Sequence, residues 1–283
     1  MGGALLDIAF DYISSVILID THAHLCAAEF SEDLPRVLER ARAAGVGRIV
    51  AVGETLGDAR RNLELAKEHP SLVAPACGLF PTRLDLEEAM RLAELIRDHR
   101  DQVIAIGEVG LDYWRIQEPD ERALQRRIFG AFVELAIELD LPLNVHSRSA
   151  GHHAIEFLMA AGARRVQLHA FDGKASRARA GVEAGYFFSV PPSVVRSPQK
   201  QKLIRQLPLS CLLLETDSPV LGADPGERNE PANLGVPLQA IARLKSESEA
   251  TITEAVYENS VRLYGPRLVS APHVARSLPH ESP

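Results

Sequence analysis

Six side chains suited to a divalent cation stand at five places along this chain, each where an apolar run stops. His22 and His24 close the run Ile17-Leu18-Ile19-Asp20-Thr21-His22-Ala23-His24, and Glu108 closes Val103-Ile104-Ala105-Ile106-Gly107-Glu108. His146 ends Leu143-Asn144-Val145-His146, His169 ends Val166-Gln167-Leu168-His169, and Asp217 follows Leu212-Leu213-Leu214-Glu215-Thr216. Imidazoles and carboxylates at the ends of buried strands are costly unless something pairs with them. His22 and His24 are two residues apart, so on an extended strand both project to one face. Four imidazoles with two carboxylates suit Zn, Mn, Ni or Fe, and the carboxylates admit Mg. Six ligands exceed the four of a closed structural zinc site. They are better matched by two divalent ions bridged by a carboxylate, with positions left for water and substrate. Such a pair clamps an in-line displacement at phosphorus, one ion activating water and the other stabilising the leaving oxygen.

Five distant segments can share a site only if the fold gathers their strand ends. Besides those five runs, Arg48–Val52, Leu72–Cys77 and Gly185–Val190 also read as strands, nearly continuous in apolar residues as expected when both faces are covered. The segments between them have helical period: Leu34, Val37, Leu38 and Ala41 share one face, as do Ile128, Phe132, Leu135, Ala136 and Leu139. Gly45, Gly162 and Gly185 are candidate helix stops, and Ser31 and Ser176 candidate N-caps. Eight such units predict an α/β fold, a single TIM-type (β/α)8 barrel over residues 1–264 with the metal site at the C-terminal face of the strands. An open doubly wound sheet would call for a glycine-rich phosphate loop, and no GxGxxG follows a strand here. The proline-bearing stretch 265–283 is expected to be a weakly ordered tail.

Composition narrows the classes. The chain has 283 residues, 46% of them hydrophobic, and a net charge of −7, which argues against coating nucleic acid through a global positive field. A local grip on a short stretch of phosphate backbone stays open. No apolar stretch is long enough to cross a bilayer, so no membrane partner is expected. No Lys or Arg precedes Asp20, so the basic start of a targeting signal is missing. Three widely spaced cysteines, Cys26, Cys77 and Cys211, point to a reduced, cytoplasmic setting.

The motifs Asp20-Thr21-His22-Ala23-His24-Leu25, Gly107-Glu108-Val109-Gly110-Leu111-Asp112-Tyr113, Asn144-Val145-His146-Ser147-Arg148, Leu168-His169-Ala170-Phe171-Asp172-Gly173 and Glu215-Thr216-Asp217-Ser218-Pro219 resemble those of the TatD family of metal-dependent deoxyribonucleases. They run in family order from residue 20 to about 264. The segments around Arg148–Gly151, Ala184–Ser193, Gln199–Leu203 and Arg228–Pro231 resemble the subgroup called TatD DNase domain-containing protein 3. The resemblance implies a barrel, a binuclear site and hydrolysis of nucleic-acid phosphodiesters, read here as a 3′-end exonuclease-like attack on DNA ends. It also implies roles: His22, His24 and Asp217 hold the first cation, Glu108 bridges, and His146 with His169 holds the second. The cations would be Zn, Mn, Mg or Ni. Ala23 and Ala170 stand where the family usually has Cys, so no thiolate takes part at those positions.

Around this set, Asp217 is expected to accept a proton from the attacking water, with Glu108 as the other catalytic carboxylate. Glu215 is a weaker base, an orienter of a histidine, or a carboxylate paired with a basic residue. Asp112 is read as orienting a ligand or a tyrosine. Arg148, two residues past His146, and Arg228, in the loop after the last strand, are the expected phosphate contacts. Arg196, Lys200 and Lys202 could track a backbone or form a solvated helix face. Tyr113 and Trp114 could stack on a base or pack beneath a loop. The alternative function is a small-molecule hydrolase of the amidohydrolase type, acting on a lactone, amide or ester. Enzymes of that type often bridge their metals with a carboxylated lysine, where this chain has Glu108.

Overall fold

The structure is a computed structural model and describes residues 17–269. Eight strands form one parallel sheet that pairs in sequence order. They are β1 (Leu18–Ala23), β2 (Val46–Ala51), β3 (Val73–Cys77), β4 (Ala105–Gly110), β5 (Leu143–His146), β6 (Val166–Leu168), β7 (Phe187–Val190) and β8 (Leu212–Leu214). Helices α1 (Leu34–Ala43), α2 (Leu56–Glu68), α3 (Leu86–Asp98), α4 (Pro119–Leu139), α5 (Gly151–Ala160), α6 (Ala175–Glu183), α7 (Pro198–Gln206), α8 (Gly235–Lys245) and α9 (Glu249–Tyr264) connect or follow them. The chain therefore folds as the single (β/α)8 barrel expected from its alternating runs.

The last seam, β8 against β1, is closed at the top by polar groups. The Asp217 amide donates to the His22 carbonyl at 2.9 Å, and the His24 amide donates to the Ser218 carbonyl at 2.8 Å. The Thr21 hydroxyl donates to the Leu214 carbonyl, and the buried Asp20 carboxylate accepts both the amide and the hydroxyl of Thr216. Closure thus brings Asp217 directly beside the two histidines of β1.

Residues along each strand alternate between the helix layer and the barrel interior. The interior begins with an apolar tier that includes Ile19, Val50, Ala74, Phe187 and Leu213, capped by Tyr264 and Leu268 from the chain's end. Two residues further on the same faces come Thr21, Ser189 and Glu215, joined by Asn144 and Gln167, all buried. Two beyond Asn144 and Gln167 come His146 and His169. The period of two therefore puts an apolar plug below, a polar tier in the middle and the titratable groups at the C-terminal mouth.

Gly45, Gly162 and Gly185 each follow a helix with φ of 83°, 76° and 83°, a conformation that suits glycine. The two serine caps do not form. Helix α1 starts after Asp33 because Ser31 belongs to the preceding turn, where its hydroxyl donates to the Ala28 carbonyl. Helix α6 starts after Lys174, which puts Ser176 inside its first turn. Of the expected tail, residues 266–268 form a 3-10 turn that buries Leu268, and Arg267 donates to the Val103 carbonyl. Positions 270–283, and 1–16 at the other end, lie outside the described residues.

Candidate metal centre

Glu108 is the centre of the site, and each of its oxygens faces a different set of partners. Oε2 lies 3.7 Å from His22 Nε2 and 3.4 Å from His24 Nε2. Oε1 lies 2.6 Å from His146 Nδ1 and 2.8 Å from His169 Nε2. Asp217 Oδ1 joins the first set, 3.4 Å from both His22 Nε2 and His24 Nε2, and those two nitrogens are 3.2 Å apart. The five measured separations in that set run from 3.2 to 3.7 Å. Ligand atoms at the corners of a tetrahedron around Zn, with bonds of about 2.0–2.1 Å, stand about 3.3–3.4 Å apart.

A cation is also what the charges lack. Glu108 Oε2 is buried with no hydrogen-bond partner among the described residues. Burial opposes ionisation of Glu108, yet the His169 and His146 imidazoles against its Oε1 hold its carboxyl well below the usual range. Asp217 is likewise held low, against burial, by its hydrogen bonds to His22 and His24. Burial alone would depress His22, but Asp217 and Glu108 raise it to about 10. His146 is raised in the same way, by Glu108 and Asp112 against burial, to about 9. Two buried carboxylates thus draw protons onto imidazoles, the places a divalent ion would take. The donor set fits such ions.

Groups just outside the cluster fix which nitrogen faces in. His22 Nδ1 lies 2.8 Å from Asn144 Oδ1, so Nε2 turns toward Asp217. Asn144 is held by donating to the Thr21 carbonyl and the Tyr264 hydroxyl, and Tyr264 donates to Gln167. His146 Nε2 faces Asp112 Oδ2 at 3.3 Å, leaving Nδ1 toward Glu108. Partners of this kind set tautomer and ring orientation in metal sites. His169 lies parallel to His22, ring centroids 3.9 Å apart. Burial and the His22 charge lower it to about 4, so it faces the cluster as a neutral imidazole.

Glycine is required where β4 meets β5. Gly110 has φ of 145°, and a Cβ there would overlap the His146 carbonyl oxygen. That close approach lets the strand carrying Glu108 lie against the one carrying His146.

A cavity of about 510 Å³ opens over the cluster, lined by His24, Glu108, His146, His169 and Asp217. Arg148 and Lys200 also line it; Lys200 donates to the Ala170 carbonyl at 2.8 Å. Arg228 does not line it. That guanidinium makes a two-pronged pair with Asp33, at 2.8 Å on both prongs, and donates to the Glu29 carbonyl. Glu215 lies beneath, where it accepts from the Ala170 amide and the Ser189 hydroxyl, and burial pushes it up to about 8. Its Oε2 is 3.9 Å from His169 Nδ1, and no Lys or Arg makes an ion pair with it among the described residues. Sequence reading passed over Phe80 and Glu54 in the wall, and Asn144 and Asp20 behind it. Asn144 and Asp20 carried a usable signal: a polar residue inside an apolar strand run must find a buried partner.

An eight-stranded parallel barrel with clustered imidazoles and carboxylates at its C-terminal mouth is the class in which barrel metallohydrolases fall. Residues 19–265 match the model of the family described as TatD related DNase. The chain is 42% identical to the Homo sapiens protein named deoxyribonuclease TATDN3, across 89% of this chain and 96% of that one. A TATDN3 protein of Mus musculus is 45% identical across 89% of this chain and 90% of that one. The crystal structure of YjjV, a TatD homologue from Escherichia coli, superposes with a TM-score of 0.81 at 29% identity, covering 87% of this chain and 97% of that one. This chain belongs to the TatD related DNase family.

Proposed function

We propose that this protein is a divalent-metal-dependent phosphodiester hydrolase, a deoxyribonuclease that removes nucleotides from 3′ ends of DNA. The single observation that carries the reading is the division of Glu108, one oxygen toward His22, His24 and Asp217, the other toward His146 and His169. That division suits two cations per chain, of Zn, Mn, Mg or Ni, with Glu108 between them. Bound there, such ions would neutralise phosphate oxygens and make a water acidic enough to attack phosphorus.

The chain's own groups do the rest. Asn144 keeps His22 Nε2 turned inward, and Asp112 does the same for His146 Nδ1. Asp217 Oδ1 faces the imidazoles, and its second oxygen, without a hydrogen bond among the described residues, takes the proton of the attacking water. Arg148 donates to the non-bridging phosphate oxygens from the cavity's lip. Arg228, held by Asp33, braces the loop after β8 against the loop after β1 and leaves phosphate contact to Arg148. The catalytic unit is taken as residues 1–264. A cytoplasmic setting is supported by Cys26, Cys77 and Cys211 all being free, and no helix among the described residues is long and apolar enough to cross a membrane.

The test uses chelator-stripped protein reloaded in turn with Mg, Mn, Zn and Ni, and single-stranded DNA labelled at either end. Stepwise shortening from the 3′ end, lost in Asp217→Asn, is expected. Failure to release nucleotides with every metal, alongside turnover of a lactone, amide or carboxylic ester, would overturn the reading in favour of the small-molecule hydrolase.

A further inference from the structure

Trp114 is the one tryptophan of the chain, and half of its surface is exposed on the loop after β4. The Arg148 guanidinium lies 3.7 Å from the ring centroid and that of Arg115 lies 5.0 Å from it. Among the described residues neither guanidinium makes a hydrogen bond or an ion pair. Two cations gathered on one exposed ring, neither paired with a carboxylate among the described residues, leave an anion still to be supplied.

This platform is tied to the metal centre. Asp112 Oδ1 accepts the amide protons of Trp114 and Arg115, at 3.0 and 2.8 Å, while Oδ2 faces His146. The same carboxylate therefore sets both the ligand histidine and the loop that carries the indole. A hollow of about 370 Å³ beside the platform is lined by Phe80, Arg83, Arg115 and Arg148, with Glu54 and Asp112 as its acidic residues. Glu54, Phe80, His146 and Arg148 line the metal cavity as well, so the two spaces adjoin.

Charge decides which way a polyanion leaves the metal cavity. On the side of His24 and Val220 a hollow of about 390 Å³ carries Glu29, Glu54 and Asp58 and no Lys or Arg. Glu54 borders both hollows, so Glu29 and Asp58 are what set the first side apart, while on the Trp114 side Asp112 accepts two amide protons and faces His146. Arg83 is paired with Glu88 at 3.0 Å, so the surplus positive charge comes from Arg115 and Arg148. A phosphate chain crossing the cluster is repelled on the first side and attracted on the second.

We propose that Trp114, with Arg115 and Arg148, forms a stacking subsite for the nucleotide next to the scissile phosphodiester. The substrate is then a single strand with at least one flanking base, rather than an isolated phosphodiester or a blunt duplex whose bases are already stacked. The inference rests on the phosphodiesterase reading above. Base–aromatic stacking contributes about 1–3 kcal/mol per base. Arg148 already contacts the ring, so an arriving base takes a free part of the indole and leaves the guanidinium to the neighbouring phosphate.

A single tryptophan makes the test direct. Chelated protein is titrated with a single-stranded octadeoxynucleotide while tryptophan emission is followed, and saturable quenching is expected. Metal-loaded wild type, Trp114→Ala and Trp114→Phe are then compared on the octanucleotide and on methyl p-nitrophenyl phosphate, a phosphodiester without a flanking base. The ratio of the two kcat/KM values should fall about 5- to 150-fold in Trp114→Ala, the span of one lost stack, and recover in Trp114→Phe. Absence of quenching, or a ratio within twofold of wild type, overturns the subsite. Wild type that hydrolyses neither diester sinks the phosphodiesterase reading instead, and the emission titration then decides the subsite alone.

Discussion

Removing the cations should make this protein lose stability as the pH rises. Without them the carboxylates hold protons on neighbouring imidazoles. His146, charged against the opposition of burial by Glu108 and Asp112, is raised from 6.5 to about 9. His22 moves in the same direction, to about 10. A folded-state pKa above the unfolded one gives stability that is complete below the unfolded value and is lost as pH climbs through the folded value. For His146 that stability is about 3 kcal/mol, at about 1.4 kcal/mol per tenfold change in proton affinity. In a chain of this size each kcal/mol moves Tm by about 2–4 °C, so chelated protein should lose about 6–12 °C between pH 6.5 and 9.5. His169 acts in the opposite sense: held down to about 4 by burial and His22, it removes stability as pH falls from 6.5 toward 4. Cations bound there would replace the protons on His22 and His146, so loaded protein should lose the alkaline slope and keep the acid-side one, and its Tm advantage should widen with pH. Thermal melts at constant ionic strength, with and without chelator, check this. Parallel Tm curves for the two forms would refute the reasoning, because the imidazole protons would then be unrelated to the cation site.

Three further outcomes follow from the geometry. Glu108→Gln puts an amide NH2, which cannot ligate, toward one of the two imidazole sets; bound metal measured by elemental analysis should fall from two per chain to one or fewer, with turnover lost. Arg148→Ala should raise KM for single-stranded DNA and lower the slope of log affinity against log salt by about 0.7, the value for one phosphate contact on a single strand, in binding measured under chelation. Gly110→Ala would force a Cβ into the His146 carbonyl oxygen; a loss of more than about 4 kcal/mol is expected, seen as insoluble or unfolded protein by circular dichroism.

The barrel was legible because its strands are covered on both faces, so they read as unbroken apolar runs whose ends stand out. Every ligand candidate broke such a run, and the structure brings the other five together around Glu108. What sequence alone could not supply was the partnership of groups joined only by the closed barrel. Arg228 and Arg148 looked alike as loop arginines beyond strand ends; the difference is Asp33, 195 residues away, which pairs with the first. Asn144 and Gln167 looked like strand residues of no role, yet Asn144 links Tyr264 at the barrel's floor to His22 at its mouth, and Gln167 accepts from the same tyrosine. Because that link passes through buried polar groups, it cannot be cut at one member without leaving another unpaired. The same logic sets the two ends of the Glu108 carboxylate. One oxygen faces the two imidazoles at the end of β1 and the other faces imidazoles at the ends of β5 and β6, so the spacing between the two proposed cation positions would follow the barrel's register. On the proposed reading, the strand ends would set where cations sit, while the loop bearing Trp114 and Arg115 and the one bearing Arg148 would select which phosphodiester reaches them.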